Sequence, residues 1–149
     1  MNDGEPKGDR PPASNIAEFE RSSALILAKL YEAFPVPSEL APSELDPEAP
    51  IEVRHIHSGT IEFLAVEGYL RHGEVNRHSY RGRTYGLIYY DAALSAKGLA
   101  ALSAEKEAIM GEKKTRGKRL VDATRSGALD IAKAVIRELF TEGVKHILH

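Results

Sequence analysis

Cysteine and tryptophan are absent from this 149-residue chain, and methionine occurs only twice. Without cysteine there is no disulfide, no thiolate metal site and no cysteine nucleophile. No apolar run approaches the roughly 20 residues that a membrane-spanning helix needs. The polar opening also lacks the apolar core of a signal peptide, so a cytoplasmic protein is expected. Proline is missing from Ile51 to His149: all 8 prolines fall in the first 50 residues, five of them between Pro35 and Pro50. Catalytic patterns are missing as well, with no GxSxG elbow, no HExxH and no paired-carboxylate motif. Gly111…Gly117-Lys118 is no P-loop, because five residues separate the glycines and Arg119 stands where a magnesium-holding Ser or Thr belongs. The reading is of a non-enzyme that needs no cofactor.

What is present is an uneven distribution of charge. The formal net charge is −2, yet residues 1–70 hold 5 Lys/Arg against 13 Asp/Glu, and residues 71–149 hold 15 against 9. An acidic front half and a basic back half point to a polyanionic partner or to a contact between complementary surfaces.

Residues 1–13 carry almost no apolar side chains and read as a disordered tail. Ser14 or Asn15 then caps a helix on which Ile16, Phe19, Ser23, Leu27, Leu30 and Phe34 recur every three or four residues, ending at Pro35. Residues 35–50 hold PSEL twice and read as a mostly extended connector, with Pro42 suited to the first turn of a short helix over Ser43–Asp46. A helix opening at His57 or Ser58 places Ile61, Leu64, Ala65 and Gly68 on one face, and Gly68 suits its left-handed end. Tyr69–Val75 and Thr84–Asp91 read as strands of a hairpin, with Asn76–Arg83 as a polar basic tip. Ser95 caps a short helix, Ala96–Leu102. A stretch over Glu105–Arg119 ends in the basic run KKTRGKR, and a helix from Ala128 to about Gly143 completes the chain. The expected class is mainly α with a small β-hairpin wing, an α+β fold.

The order helix, connector, helix ending in Glu67-Gly68-Tyr69-Leu70, hairpin, then Leu94-Ser95-Ala96-Lys97-Gly98-Leu99 resembles the winged helix-turn-helix fold over roughly residues 16–104. It also looks like a group of small uncharacterised bacterial proteins that join this domain to an added C-terminal helix. The resemblance implies a winged-helix domain over 14–104, with a basic linker and C-terminal helix over 105–149. It further implies double-stranded DNA as partner and a role in transcription regulation. The third helix would lie toward the major groove, with Arg54, His57, Ser58 and Thr60 as donors. That helix, Ser58–Glu67, carries Glu62 and Glu67 and no basic residue, which weakens base reading and leaves recognition to the backbone.

Other candidates come from the residues themselves. Arg71, Arg77, Arg81 and Arg83 on the wing, beside Tyr80, Tyr85, Tyr89 and Tyr90, pair phosphate-binding cations with flat rings. Lys113, Lys114, Arg116, Lys118 and Arg119 either track a DNA backbone or form a solvated linker. His55 and His57 would point to one side only if that segment were extended, and they lack further ligands, so no metal site is assigned. Leu129, Ala132, Val135, Ile136, Leu139 and Phe140 form an apolar stripe, which suits either packing onto the first helix or a homodimer seam, the latter being favoured. The competing function is a protein-interaction module of the same fold that binds no nucleic acid.

Overall fold

A computed structural model describes the backbone of residues 12–80, 83–107 and 113–148, with side chains described for 15–77, 86–105 and 113–142. The elements are α1 (Pro12–Ala33), β1 (Ser38–Leu40), α2 (Pro42–Leu45), α3 (Ile51–Val66), β2 (Leu70–Arg71), β3 (Val75–Tyr80), β4 (Arg83–Leu94), α4 (Ala96–Ser103), β5 (Glu105–Glu107), β6 (Lys113–Thr115), α5 (Arg116–Ser126) and α6 (Leu129–Leu148). This is a mainly helical α+β fold, with six described helices and a small antiparallel sheet.

Helix α1 sits at the centre, packed by α3, α5 and α6 and touching β1 and β4. A helix with neighbours on several sides needs more than one apolar stripe. Accordingly Ala24, Ile26, Leu27, Ala28 and Leu30 are all buried, whereas the stripe's two ends, Ile16 and Phe34, lie in solvent. Polar residues of α1 also tie it to its neighbours. Glu20 takes a bidentate pair from Arg137 at 2.7 and 2.9 Å, which ties α1 to α6.

Strand β4 is the axis of the sheet. It pairs antiparallel with β1, β2 and β3, in the order β1-β4-β2 with β3 also on β4. At Asp91 the backbone of β4 turns to φ +56°, opposite Gly73, where the ladder passes from β3 to β2. Gly73 N–H donates to Tyr90 O at 2.7 Å across this bend, and Tyr90 N–H donates to Glu74 O at 3.0 Å.

Several expectations change. Pro42 does occupy the first turn of the short α2, but the connector also contributes β1. Helix α3 begins at Ile51 rather than at His57, extending two turns further toward the N-terminus. Its buried face is Val53, His57, Thr60, Ile61 and Leu64, and the two polar members break the apolar pattern in the sequence. The other end of α3 matches expectation: Gly68 stands at φ +87°, and Tyr69 N–H reaches back to Leu64 O at 2.8 Å. Most of the polar tip at Asn76–Arg83 is ladder, paired from Asn76↔Ile88 to Tyr80↔Arg83, while Arg81 and Gly82 lie outside the described residues. Most of the expected tail, residues 1–11, lies outside them too.

The stretch expected as a linker is also folded. β5 and β6 pair antiparallel from Glu105↔Thr115 to Glu107↔Lys113, and Thr115 caps α5 by accepting from Lys118 N–H at 3.0 Å. Gly127, at φ +76°, ends α5. The apolar stripe of α6 faces inward against α1 and α5. Ala132, Val135, Ile136 and Leu139 are buried within the single chain, with Phe140 and Ala128 packed at the edge of the same core. Those four residues therefore pack within the chain, the first of the two arrangements the stripe suits, while Leu129 stays half-buried at the start of α6.

Candidate nucleic-acid interface

Extending α3 back to Ile51 changes what that helix offers. Its first turns now carry Arg54, His55 and Ser58, with His55 exposed and the other two half-buried. These residues face the hairpin across a cleft of about 250 Å³, whose opposite wall holds Arg77, Gly86 and Leu87. Ser43 and Pro42 at the start of α2, with Ile51, complete the lining. Three of the residues singled out from sequence, Arg54, Ser58 and Arg77, are therefore brought together, and among the described residues no Asp or Glu lines the cleft.

Arg54 is held in place. Its Nη2 donates to Pro47 O at 3.2 Å in the α2–α3 turn, while its Nε is buried without a hydrogen-bond partner. Ser58 lies against the phenol of Tyr89, which donates to Glu62 Oε2 at 3.0 Å. Burial and that bond to the Glu62 carboxylate push the Tyr89 phenol up to about 12. Glu62 is thereby tied to the sheet one turn beyond the cleft. Arg71 is exposed on β2, close to the bend in β4.

Two sequence candidates on α3 are interior. His57 is fully buried, its Nδ1 within 2.7 Å of Ser22 Oγ on α1 and its Nε2 unpartnered. Desolvation lowers its pKa from the ordinary 6.5, and Arg21 adds to that effect, against the opposing pull of Asp46 and Glu18. Thr60 is buried too, and its hydroxyl donates to Ile56 O at 2.6 Å. Because 51–66 is helical, His55 and His57 project about 200° apart, and the shared side that an extended segment would give them is lost. Among the described residues no group of three His, Asp or Glu is placed to hold a metal ion.

The basic run is largely neutralised by its own chain. Lys114 and Lys118 both reach Asp122, at 3.2 and 3.3 Å. Arg116 is buried, donating through Nε to Glu138 at 2.7 Å and through Nη1 to Ala101 O at 3.1 Å, with Glu142 as a further ion-pair partner. Arg119 meets Glu138 at 3.1 Å. Arg116 is thus an internal strut and not a free phosphate contact, and Lys113 and Lys118 are the exposed cations of the run. Nothing in the local sequence signals this, because its partners lie on another helix. Arg83 belongs to β4, but its side chain, like all of Arg81, lies outside what the structure describes.

At the C-terminal half of α3, Phe63 and Val66, which widen the apolar stripe of this helix in the sequence, form an exposed patch instead. Phe63 meets Phe19 edge-on at 5.3 Å, and Phe19 stacks on Phe140 at 5.8 Å. The helix therefore has a polar front, with Glu52, Arg54 and His55, and an apolar back.

Among the described residues no helix is long and apolar enough to cross a membrane. Comparison of the chain with protein-family models, with curated proteins and with solved structures finds no match to any of them.

Proposed function

We propose that this chain is a winged helix-turn-helix protein that binds double-stranded DNA mainly through the phosphate backbone, as a transcription-regulator-like module. The order α1, β1, α2, α3, then a strand and hairpin with β1 laid on β4, supports the fold reading. The observation that carries the function is the grouping of Arg54, His55 and Arg77 around one cleft between the front of α3 and the hairpin, with no carboxylate among the described residues that line it. In helix-turn-helix proteins the N-terminal residues of the recognition helix meet the DNA while the rest of the helix supports them. Glu62 and Glu67 lie in the other half of α3, away from that approach.

Fluorescence anisotropy with a labelled duplex tests the reading. Binding is expected at about 50 mM salt, weakening by one or more orders of magnitude by about 200 mM as released counterions are re-bound. Arg54→Gln and Arg77→Gln should each weaken binding on every sequence tried. Absence of binding at the lower salt overturns the proposal.

A second reading, a protein-interaction module, is favoured by the exposed Phe63 and Val66 flanked by Glu62 and Glu67. Co-purification of a protein partner that Phe63→Ser abolishes, together with no DNA binding, would establish it instead.

A further inference from the structure

We infer that the cleft between α3 and the hairpin is a binding site for a small phosphomonoester carried on a flat, partly apolar body, the chemistry of a nucleoside monophosphate. The charge of the lining comes first. Arg54 and Arg77 enter from opposite walls with His55 beside them, and among the described residues no carboxylate lines the cleft to neutralise them. Elsewhere Arg116, Arg119, Arg125 and Arg137 are each engaged by a glutamate. Two guanidiniums match the charge of a phosphomonoester, about −1.5 to −2 at neutral pH, better than the single charge of a backbone diester.

Orientation points the same way. The contact from Nη2 to Pro47 O fixes the plane of Arg54. A guanidinium presents its donors as a rigid fork that fits phosphate oxygens, so fixing one arm aims the others. Size and surface then extend the ligand beyond phosphate. A volume of about 250 Å³ equals the share of about eight waters, more than a bare phosphate fills. The remaining wall is apolar: Ile51, although 54% exposed, lines the cleft with Leu87, and Gly86 leaves an open stretch of strand on which a ring can lie.

The site shares Arg54 and Arg77 with the DNA reading but does not depend on it. If both hold, the small ligand and the duplex compete for the same face.

The test is an amide chemical-shift titration of the full chain with adenosine 5′-monophosphate, inorganic phosphate and adenosine, beside the duplex anisotropy assay. The monophosphate should shift amides of α3's first turns and of residues 77, 86 and 87, with inorganic phosphate shifting the same set more weakly. Adenosine should bind at least tenfold more weakly than its monophosphate. Arg54→Gln and Arg77→Gln should each lower monophosphate affinity at least tenfold. Arg77, exposed on a strand, is the variant whose amide spectrum outside the cleft should remain native.

No shifts with either phosphate ligand, equal binding of adenosine, or binding that survives both substitutions would each overturn the inference. Loss of monophosphate binding in variants that still bind duplex normally would uphold it while refuting the DNA reading at this face. Duplex binding that depends on Arg54 and Arg77, in a protein blind to both phosphate ligands, would do the reverse.

Discussion

Replacing Gly98 with alanine would drive a methyl group into the backbone of the turn after α3. A Cβ at position 98 would lie 2.9 Å from the Tyr69 carbonyl carbon and closer still to its oxygen, where ordinary contact begins near 3.4 Å. Tyr69 has no room to yield. Its N–H is bound to Leu64 O at 2.8 Å, its carbonyl accepts from Ser95 N–H at 3.1 Å, and its ring packs edge-on against Phe140. Helix α4 must therefore retreat, loosening the Ser95 cap, whose hydroxyl donates to Gly68 O and accepts from Gly98 N–H. Overpacking of this kind costs about 1–3 kcal/mol, and each loosened hydrogen bond about 1 kcal/mol more. Alanine's advantage over glycine within a helix returns about 0.5–1 kcal/mol. The expected net loss is about 3 kcal/mol, or about 9 °C in Tm at roughly 3 °C per kcal/mol for a chain of this length. Gly59→Ala is the internal control: it lies within α3, nothing stands within 4 Å of its Cβ, and the variant should gain about 0.5–1 kcal/mol. Urea unfolding followed by circular dichroism at 222 nm measures both. A Gly98→Ala protein as stable as the parent, or a Gly59→Ala protein that loses as much as its counterpart, refutes the reasoning.

Three further outcomes follow from the core and its charges. Arg116→Ala, which removes the buried donor of Ala101 O and one of the cations on Glu138 while Arg119 still pairs that glutamate, should cost about 1–3 kcal/mol in the same unfolding assay, whereas Lys118→Ala on the exposed face of α5 should cost less than about 1 kcal/mol. Ile136→Ala should lose about 2–5 kcal/mol, and its midpoint should be independent of protein concentration, because that side chain fills the chain's own core and not a contact between copies. His57 has a folded pKa below its unfolded value near 6.5, so the unfolded chain binds the extra proton. Its contribution to stability is present above pH 6.5 and is lost as pH falls from there through the folded pKa; unfolding midpoints measured from pH 8 to pH 5 should show that slope, and His57→Gln should remove it.

Local signals were legible wherever the chain closes on itself within a few residues. Ser95 and Gly98 mark the start of α4, Gly68 the end of α3 and Pro42 the first turn of α2, because capping and turn chemistry act between near neighbours. The periodicity of α6 was legible as well, but periodicity says that a face is covered and not by what. Only the three-dimensional arrangement assigns Val135, Ile136 and Leu139 to α1 and α5. The front of α3 was hidden because two of its inward positions are His57 and Thr60, polar residues made tolerable indoors by Ser22 Oγ and Ile56 O. The cleft was half legible: Arg54, Ser58 and Arg77 stood out as donors, while Ile51, Gly86 and Leu87 gave no sign of sharing a wall with them. The fate of Arg116 was illegible in principle, since its glutamates lie 22 and 26 positions onward on α6.

The central place of α1 has a consequence for how the protein is made. Glu20 finds Arg137 117 positions later, and Leu27 and Leu30 share their core with Val135 and Leu139. At about 5–20 residues per second, that helix leaves the ribosome several seconds before its cover is synthesised. Through that interval it exposes a face that is apolar on more than one side. Folding is therefore completed only after α6 has emerged, and a pause or truncation upstream of Ala132 leaves α1 as a sticky nascent segment that depends on chaperones to stay soluble.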